Sequence, residues 1–432
     1  MALADPVIVV PGLAGSTLRD EYPLPPETRW SALRRDVEGV ALHPDDLRYE
    51  ARGPARVAAD AVLPVAYREL VEELRHDLAE RPDRPVPVHA FAYDWRRPLA
   101  EIEASLAEFV DEVIDRTRLL RHYHAAGFSR RPRVSLVAHS LGGVIAVGLL
   151  ERLGRRARVG RVATLGAPFR GSFEAVAHLT TGTGLLEAER PRAREREAAR
   201  ITPSLYQLLP SFDGALETDG SLPGSLFAPD VWQPSVVETL ARYVQDRGLS
   251  RRGARARAEV LFAELLGAGR AHRKRLEGFR LSRAGLRRGD FLCVVAVDAA
   301  TRVRLRAERH RGAPRFVFRD VDRRNRFRDP DPAARAETGD GTVPLEGALP
   351  AFLPRESLVC VTPDDIGAFE LQDRAAIRLA GFHALLPTMD LLHRLVVRHL
   401  TGRPDRYGNT WGRRAPGARA FRPPIPGLRE RP

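Results

Sequence analysis

Six short apolar runs recur along the chain, and the segments between them keep helical periodicity. This alternation restricts the fold more than any other feature. The runs are PVIVV (6–10), PVHAFAY (87–93), RVSLVA (133–138), RVATLG (161–166), FLCVVAV (291–297) and SLVCVT (357–362). Each reads as a strand. Between them lie patterns such as YRELVEELRHDLAE (67–80) and LAEIEASLAEFVDEVIDRTRLLRHYHAAG (99–127), with apolar residues three and four apart. Strand and helix in alternation predict an α/β fold: a mostly parallel sheet covered by helices on both faces.

One gap breaks the rhythm. Residues 173–290 show no convincing strand, only arginine-rich helical segments (ERPRAREREAAR, SRRGARARAEVLFAELLGAGRAHRKRLEG) broken by Pro and Gly loops. A structureless loop of that length is improbable in a compact domain, so this stretch is expected to be a helical cap or lid inserted over the sheet. The expected division is residues 1–172 as the first part of the core, 173–290 as the cap, 291–400 as the second part of the core, and 401–432 as a poorly ordered tail. Residues 20–60, with PLPPETRW, form a shorter irregular excursion.

The chain carries 69 basic and 56 acidic residues, a formal net charge of +13. Lys274 is the only lysine. The basic residues are interleaved with acidic ones, and the bias to arginine reads as codon composition rather than a nucleic-acid footprint. The segment RLRAERHRGAPRFVFRDVDRRNRFR (304–328) and the basic runs of the cap are the only local support for arginine-driven binding to nucleic acid or an anionic membrane. Cys293 and Cys360 each sit in an apolar run and are expected to be small core residues, not a disulfide or metal pair. No zinc-like cluster is found, and no cofactor is expected. VIVV begins within a few residues of the amino terminus and no apolar run approaches about 18 residues, so neither a leader nor a membrane span is expected. A cytoplasmic protein is the expectation.

Residues 138–142 read Ala-His-Ser-Leu-Gly, between an apolar strand and a GGVIAVGLL helix. This is the G-x-S-x-G nucleophile elbow with Ala138 in place of its first glycine. Alanine is tolerable because the flanking positions need only small side chains. Such a turn presents Ser140 at the carboxyl end of the strand, while the Leu141 amide opens the helix and points at developing negative charge. A helix-capping serine would also fit. A second amide donor is expected from VIVVPGLAGSTL (7–18), at Leu13 or Ala14. For the acid, Asp340 in GDGTVPLEG (339–347) is favoured over Asp298, which follows FLCVVAV; an Asp-Gly pair is also a common turn. For the base, GFHALLPTMDLLHRLV offers His383. The order Ser140, Asp340, His383 is the hydrolase order. His393 is read as surface or packing, and His139 is expected to face away from the triad.

These motifs carry a family resemblance. PVIVVPGLAGSTL, FAYDWR (91–96), VSLVAHSLGG, ATLGAPFRGS (163–172), GDGTVPL and GFHALL occur in the order seen in the lecithin:cholesterol acyltransferase family, over roughly 5–172 and 290–400. The resemblance implies an α/β-hydrolase fold, Ser140, Asp340 and His383 as catalytic triad, and Leu13 with Leu141 as oxyanion hole. Tyr93, Asp94, Trp95 and Arg96 look like the family's YDWR, a structural support near the substrate cleft or simply core. The signal peptide and disulfide-closed lid of secreted relatives have no counterpart here, and the insertion 173–290 shows no visible likeness.

The function expected is that of a serine esterase, lipase or O-acyltransferase acting on a lipid-like ester through an acyl-enzyme. The alternative is a catalytically idle hydrolase scaffold used for partner or anionic-membrane binding. The partners expected are a lipid or ester substrate, with peripheral contact of the cap to anionic lipid and no nucleic acid.

Overall fold

A computed structural model describes residues 3–22, 24–37, 39–42, 57–182, 193–247, 252–321, 331, 337–367 and 381–431. Strand β1 (Val7–Val10) is followed by a small antiparallel sheet of β2 (Ser16–Asp20), β3 (Glu27–Trp30) and β4 (Val57–Val62), in the order β3-β2-β4. Strands β5 (Val88–Ala90), β6 (Val134–His139), β7 (Val159–Leu165), β8 (Leu216–Thr218), β9 (Phe291–Ala296), β10 (Thr301–His310), β11 (Ala313–Val321), β12 (Val359–Val361), β13 (Trp411–Gly412) and β14 (Arg429–Glu430) complete the set. Among the described residues the helices of eight residues or more are α1 (Pro64–Leu78), α2 (Leu99–Arg118), α3 (Leu141–Leu153), α4 (Phe173–Thr180), α5 (Ala193–Arg200), α6 (Ser235–Arg247), α7 (Ala254–Glu277) and α8 (Asp390–Thr401).

The six runs that read as strands form one parallel sheet in the order β12-β9-β7-β6-β1-β5. Successive side chains of a strand point to opposite faces. Ile8 and Val10 therefore join Leu136, Phe291 and Cys293 in one core under α2 and α3, while Val7 and Val9 join Val137, Leu292 and Val359 in a second core under α1 and α8. With both faces covered, every residue of β6 and β9 is buried, so these strands read as unbroken apolar runs. Cys293 and Cys360 are buried, unpaired members of the sheet. Among the described residues no helix is long and apolar enough to cross a membrane.

Three expectations need correcting. The excursion at 20–60 is not wholly irregular: β3 and β4 flank β2, and Trp30 is buried edge-on to Trp95, ring centroids 5.1 Å apart. The insertion holds a strand, β8, and does not end at 290, because β8 pairs in parallel with β10 of the β10–β11 hairpin. In β10 the arginines alternate with buried Val303, Leu305 and Ala307, the period of a half-buried strand. Its basic face is met by acids: Arg302 pairs with Glu174, and Arg304 with Glu217 and Glu337. Residues 322–328 of that basic segment lie outside the described residues.

The stretch 401–431 is packed rather than loose. Cys360 and Arg413 exchange both backbone hydrogen bonds at 2.8 and 2.9 Å, and Arg413 pairs with the buried carboxylate of Asp365. Ala415, Ile425 and Leu428 are buried. An exposed edge strand leaves a row of unpaired amides and carbonyls, and this segment covers that edge at β12.

Candidate active site

Ser140 joins the end of β6 to the start of α3 with φ 52° and ψ −126°, a conformation that costs a non-glycine residue about 1–3 kcal/mol. The surroundings hold it there. The Ser140 amide donates to the Leu165 carbonyl of β7 at 2.9 Å, and the Ser140 carbonyl accepts from Gly143 at 2.9 Å. A Cβ on Gly142 would stand 2.3 Å from the Val10 carbonyl oxygen, so only glycine lets α3 come this close to β1. Ser140 makes no side-chain capping bond to its helix. Its Oγ lies instead 2.8 Å from His383 Nε2.

His383 Nδ1 lies 2.6 Å from Asp340 Oδ2. The other oxygen of Asp340 accepts the backbone N–H groups of Thr342 at 2.9 Å and Val343 at 2.6 Å. The turn that looked like a common Asp-Gly corner is thus folded around the carboxylate. A backbone bridge between Ala299 and Asp340 brings this turn to the end of β9. Asp298, the rival, lies on the same rim with φ 64° and its amide bonded to Thr338 Oγ1, but the carboxylate on the imidazole is that of Asp340. The three side chains are buried and in hydrogen-bonded sequence. His393 is a packed residue, buried, with Nε2 2.7 Å from the Pro387 carbonyl.

The loop after β1 is shaped from below. Tyr93 donates its hydroxyl to the carbonyls of Pro11 at 2.8 Å and Gly12 at 3.1 Å, and Gly15 N–H donates to the same Gly12 oxygen at 3.0 Å. In a trans peptide the N–H points opposite to the C=O. Holding the Gly12 carbonyl therefore turns the Leu13 N–H the other way. Burial raises the Tyr93 phenol well above its ordinary pKa, so the donor proton stays in place. Ala14, the other candidate, has φ 57°, and its carbonyl accepts from Trp30 Nε1 at 3.2 Å. Arg96 is fully buried on the carboxylate of Asp94 and on the carbonyls of Val40 and Val57. The YDWR segment is thus the brace of this loop. Neither the Leu13 nor the Leu141 amide has a backbone acceptor among the described residues.

Two contributors escaped the sequence reading. Gly166, in ATLGAPFRGS, has φ 60°, and a Cβ there would meet Leu386 Cδ1 at 2.6 Å, Asp340 Oδ2 at 3.1 Å and His383 Nδ1 at 3.2 Å. A glycine inside a strand-terminal motif was the available signal. The second is Tyr67, on α1, whose hydroxyl lies 2.8 Å from His139 Nδ1. His139 does not face away: its ring centroid is 4.9 Å from that of His383, and its Nε2 is 3.0 Å from the His383 carbonyl oxygen. The reason is strand alternation: His139 ends β6 on the same face as Val137, the face covered by Tyr67 of α1 and by the helical turn 381–385 that carries His383. Among the described residues no group of three or more His, Cys, Asp or Glu side chains offers a metal site.

Residues 65–240 match the family model described as lecithin:cholesterol acyltransferase. The resemblance read from the motifs is borne out. The match includes Ser140 and runs into the insertion, where no likeness was visible from the sequence; Asp340 and His383 lie beyond it. No curated protein matches. In the crystal structure of the Tle4-Tli4 complex, a chain resembles this one at 15% identity and TM-score 0.59, over 94% of this chain and 100% of its own. The mature form of Bacillus licheniformis lipase BlEst2 is matched at 17% identity and TM-score 0.20, over 57% of this chain and 76% of its own. The parallel sheet, its helical layers and the first of these likenesses make this an α/β-hydrolase fold.

Proposed function

We propose that this chain, a relative of the lecithin:cholesterol acyltransferase family, is a serine esterase, lipase or O-acyltransferase of lipid-like esters, with Ser140, His383 and Asp340 as its triad. The observation that carries the reading is the unbroken line from Asp340 Oδ2 through His383 to Ser140 Oγ, at 2.6 and 2.8 Å. The substrate class comes from the family resemblance.

In this mechanism His383 Nε2 takes the proton from Ser140 Oγ as the oxygen attacks the ester carbonyl carbon. The Asp340 carboxylate accepts the Nδ1–H, fixing the tautomer and stabilising the imidazolium that forms. The Leu13 and Leu141 amides receive the negative charge that develops on the carbonyl oxygen, each such donor being worth about 3 kcal/mol. His383 then returns its proton to the departing alcohol, leaving the acyl group on Ser140. Water or a second alcohol, deprotonated by the same imidazole, removes it. Hydrolysis and transfer share every step but this one.

The test is labelling by a fluorophosphonate probe. The wild-type protein is expected to react in one-to-one stoichiometry, and Ser140→Ala to lose labelling while melting at the same temperature. Labelling that persists in Ser140→Ala refutes the assignment. A wild-type protein that is folded yet unlabelled favours the idle scaffold instead.

A further inference from the structure

Three residues outside the triad, Gly12, Tyr67 and His139, form a single buried hydrogen-bonded line that ends on the backbone of His383. The Gly12 N–H donates to the Tyr67 hydroxyl oxygen at 2.8 Å. The same oxygen is 2.8 Å from His139 Nδ1, and His139 Nε2 is 3.0 Å from the backbone carbonyl of His383. The end of the line sets the protons. A carbonyl can only accept, so His139 must carry its hydrogen on Nε2. Its Nδ1 then presents a lone pair, and the Tyr67 O–H must be the donor. The three bonds then all run one way, from the Gly12 N–H to the His383 carbonyl. Tyr67 and His139 are both buried. Burial, reinforced by neighbouring His383, lowers the His139 imidazole well below the usual histidine range and keeps it neutral, as this pattern requires.

The nucleophile, the base and one oxyanion donor of the proposed site are each covalently next to this line or part of it. Ser140 is bonded to His139, Leu13 is bonded to Gly12, and His383 is the terminal acceptor. Asp340 orients only the His383 ring. The bond from His139 holds the His383 backbone, and it comes from the residue before the nucleophile.

We propose that Tyr67 and His139 are positioning residues that fix the distances among nucleophile, base and oxyanion donor by tying the loop after β1, the elbow and the helical turn of His383 (381–385) together. This inference rests on the triad reading given above. Neither side chain is hydrogen-bonded to Ser140 Oγ or to a ring nitrogen of His383. A misplacement of about 1 Å at a catalytic group can cost roughly 100-fold in rate, so a hydroxyl removed from the middle of this line acts on turnover rather than on substrate affinity.

The experiment uses the full chain and a soluble p-nitrophenyl ester. Tyr67→Phe, which removes one oxygen, is expected to lower kcat by about 10- to 100-fold with KM within about twofold of wild type. His139→Phe should do the same, and His139→Gln, which keeps an N–H for the His383 carbonyl, should recover part of the loss. Because the two residues act as one line, Tyr67→Phe combined with His139→Phe should be no slower than the worse single variant. Should Tyr67→Phe fail to fold, His139→Gln against His139→Phe carries the comparison. Wild-type kcat in folded Tyr67→Phe, or losses that multiply in the double variant, overturn the inference while leaving the triad intact. A wild-type protein that no fluorophosphonate labels overturns both.

Discussion

Replacing Asp340 by asparagine asks one oxygen to become an NH2 group, and the surroundings dictate which. Oδ1 receives the Thr342 and Val343 amides at 2.9 and 2.6 Å; Oδ2 receives His383 Nδ1 at 2.6 Å. Turning the NH2 toward the two amides would set donors against donors, losing two hydrogen bonds and leaving buried N–H groups unpaired at about 1–3 kcal/mol each. The oxygen therefore stays on the backbone and the NH2 faces His383. An NH2 there requires a bare Nδ1, which moves the imidazole proton to Nε2, the very nitrogen that must accept from Ser140. In serine proteases the same exchange costs about 10⁴ in kcat, or about 5 kcal/mol at 1.36 kcal/mol per decade. Asp340→Asn should thus show a loss of three to four decades in p-nitrophenol release and in fluorophosphonate labelling rate, with almost no change in melting temperature. Asp298→Asn should retain near-wild-type rates. An Asp340→Asn variant within tenfold of wild type, or an Asp298→Asn variant that is the slower of the two, would refute the assignment of the acid.

Gly142→Ala pushes a methyl to 2.3 Å from the Val10 carbonyl oxygen and 2.6 Å from that of Pro11; a loss of about 3 kcal/mol in urea unfolding is expected, and an unchanged midpoint would contradict the close approach of α3 to β1. Glu103, fully buried on α2, accepts from His272 and, on both of its oxygens, from Arg275 Nη2 of α7. Glu103→Ala should cost about 3 kcal/mol, near the lower bound for a broken buried pair because Arg275 is partly exposed, and should speed proteolysis within 254–277; unaltered cleavage would mean that α7 is held elsewhere. Burial, with a smaller push from Arg302, lowers the imidazole of His178 from 6.5 to about 4. The unfolded chain thus takes up this proton first as pH falls, so the contribution of His178 to stability is full above pH 6.5 and is lost on the way down to about 4. The change is at most about 3 kcal/mol. His178→Leu should flatten the fall in melting temperature across that window, and parallel slopes for the two proteins would dispose of the idea.

The legible parts of this molecule are those written in local periodicity. All six apolar runs became neighbours in one sheet, because a parallel strand covered on both faces needs apolar residues at every position and so advertises itself. Ser140 was legible because the elbow demands small residues on both sides of it, and Asp340 and His383 because chain order narrows the choice. The β10–β11 hairpin carried its own signal, arginine alternating with Val303, Leu305 and Ala307, which charge composition obscured. Tyr67 carried none: it is an ordinary aromatic on an amphipathic helix, and its place beside His139 follows from how α1 lies on the sheet.

By itself the sequence determined the repertoire: which segments form the parallel sheet, which serine sits on a strained turn, and which carboxylate and imidazole are available to it. Those properties depend on side-chain size and spacing along a few residues. The tertiary structure decided the sheet order, the covering of the β12 edge by residues 401–431, and the line from Gly12 through Tyr67 and His139 to His383. Such contacts join residues 55 to 244 positions apart, and packing of whole layers, rather than any local preference, sets which of them meet.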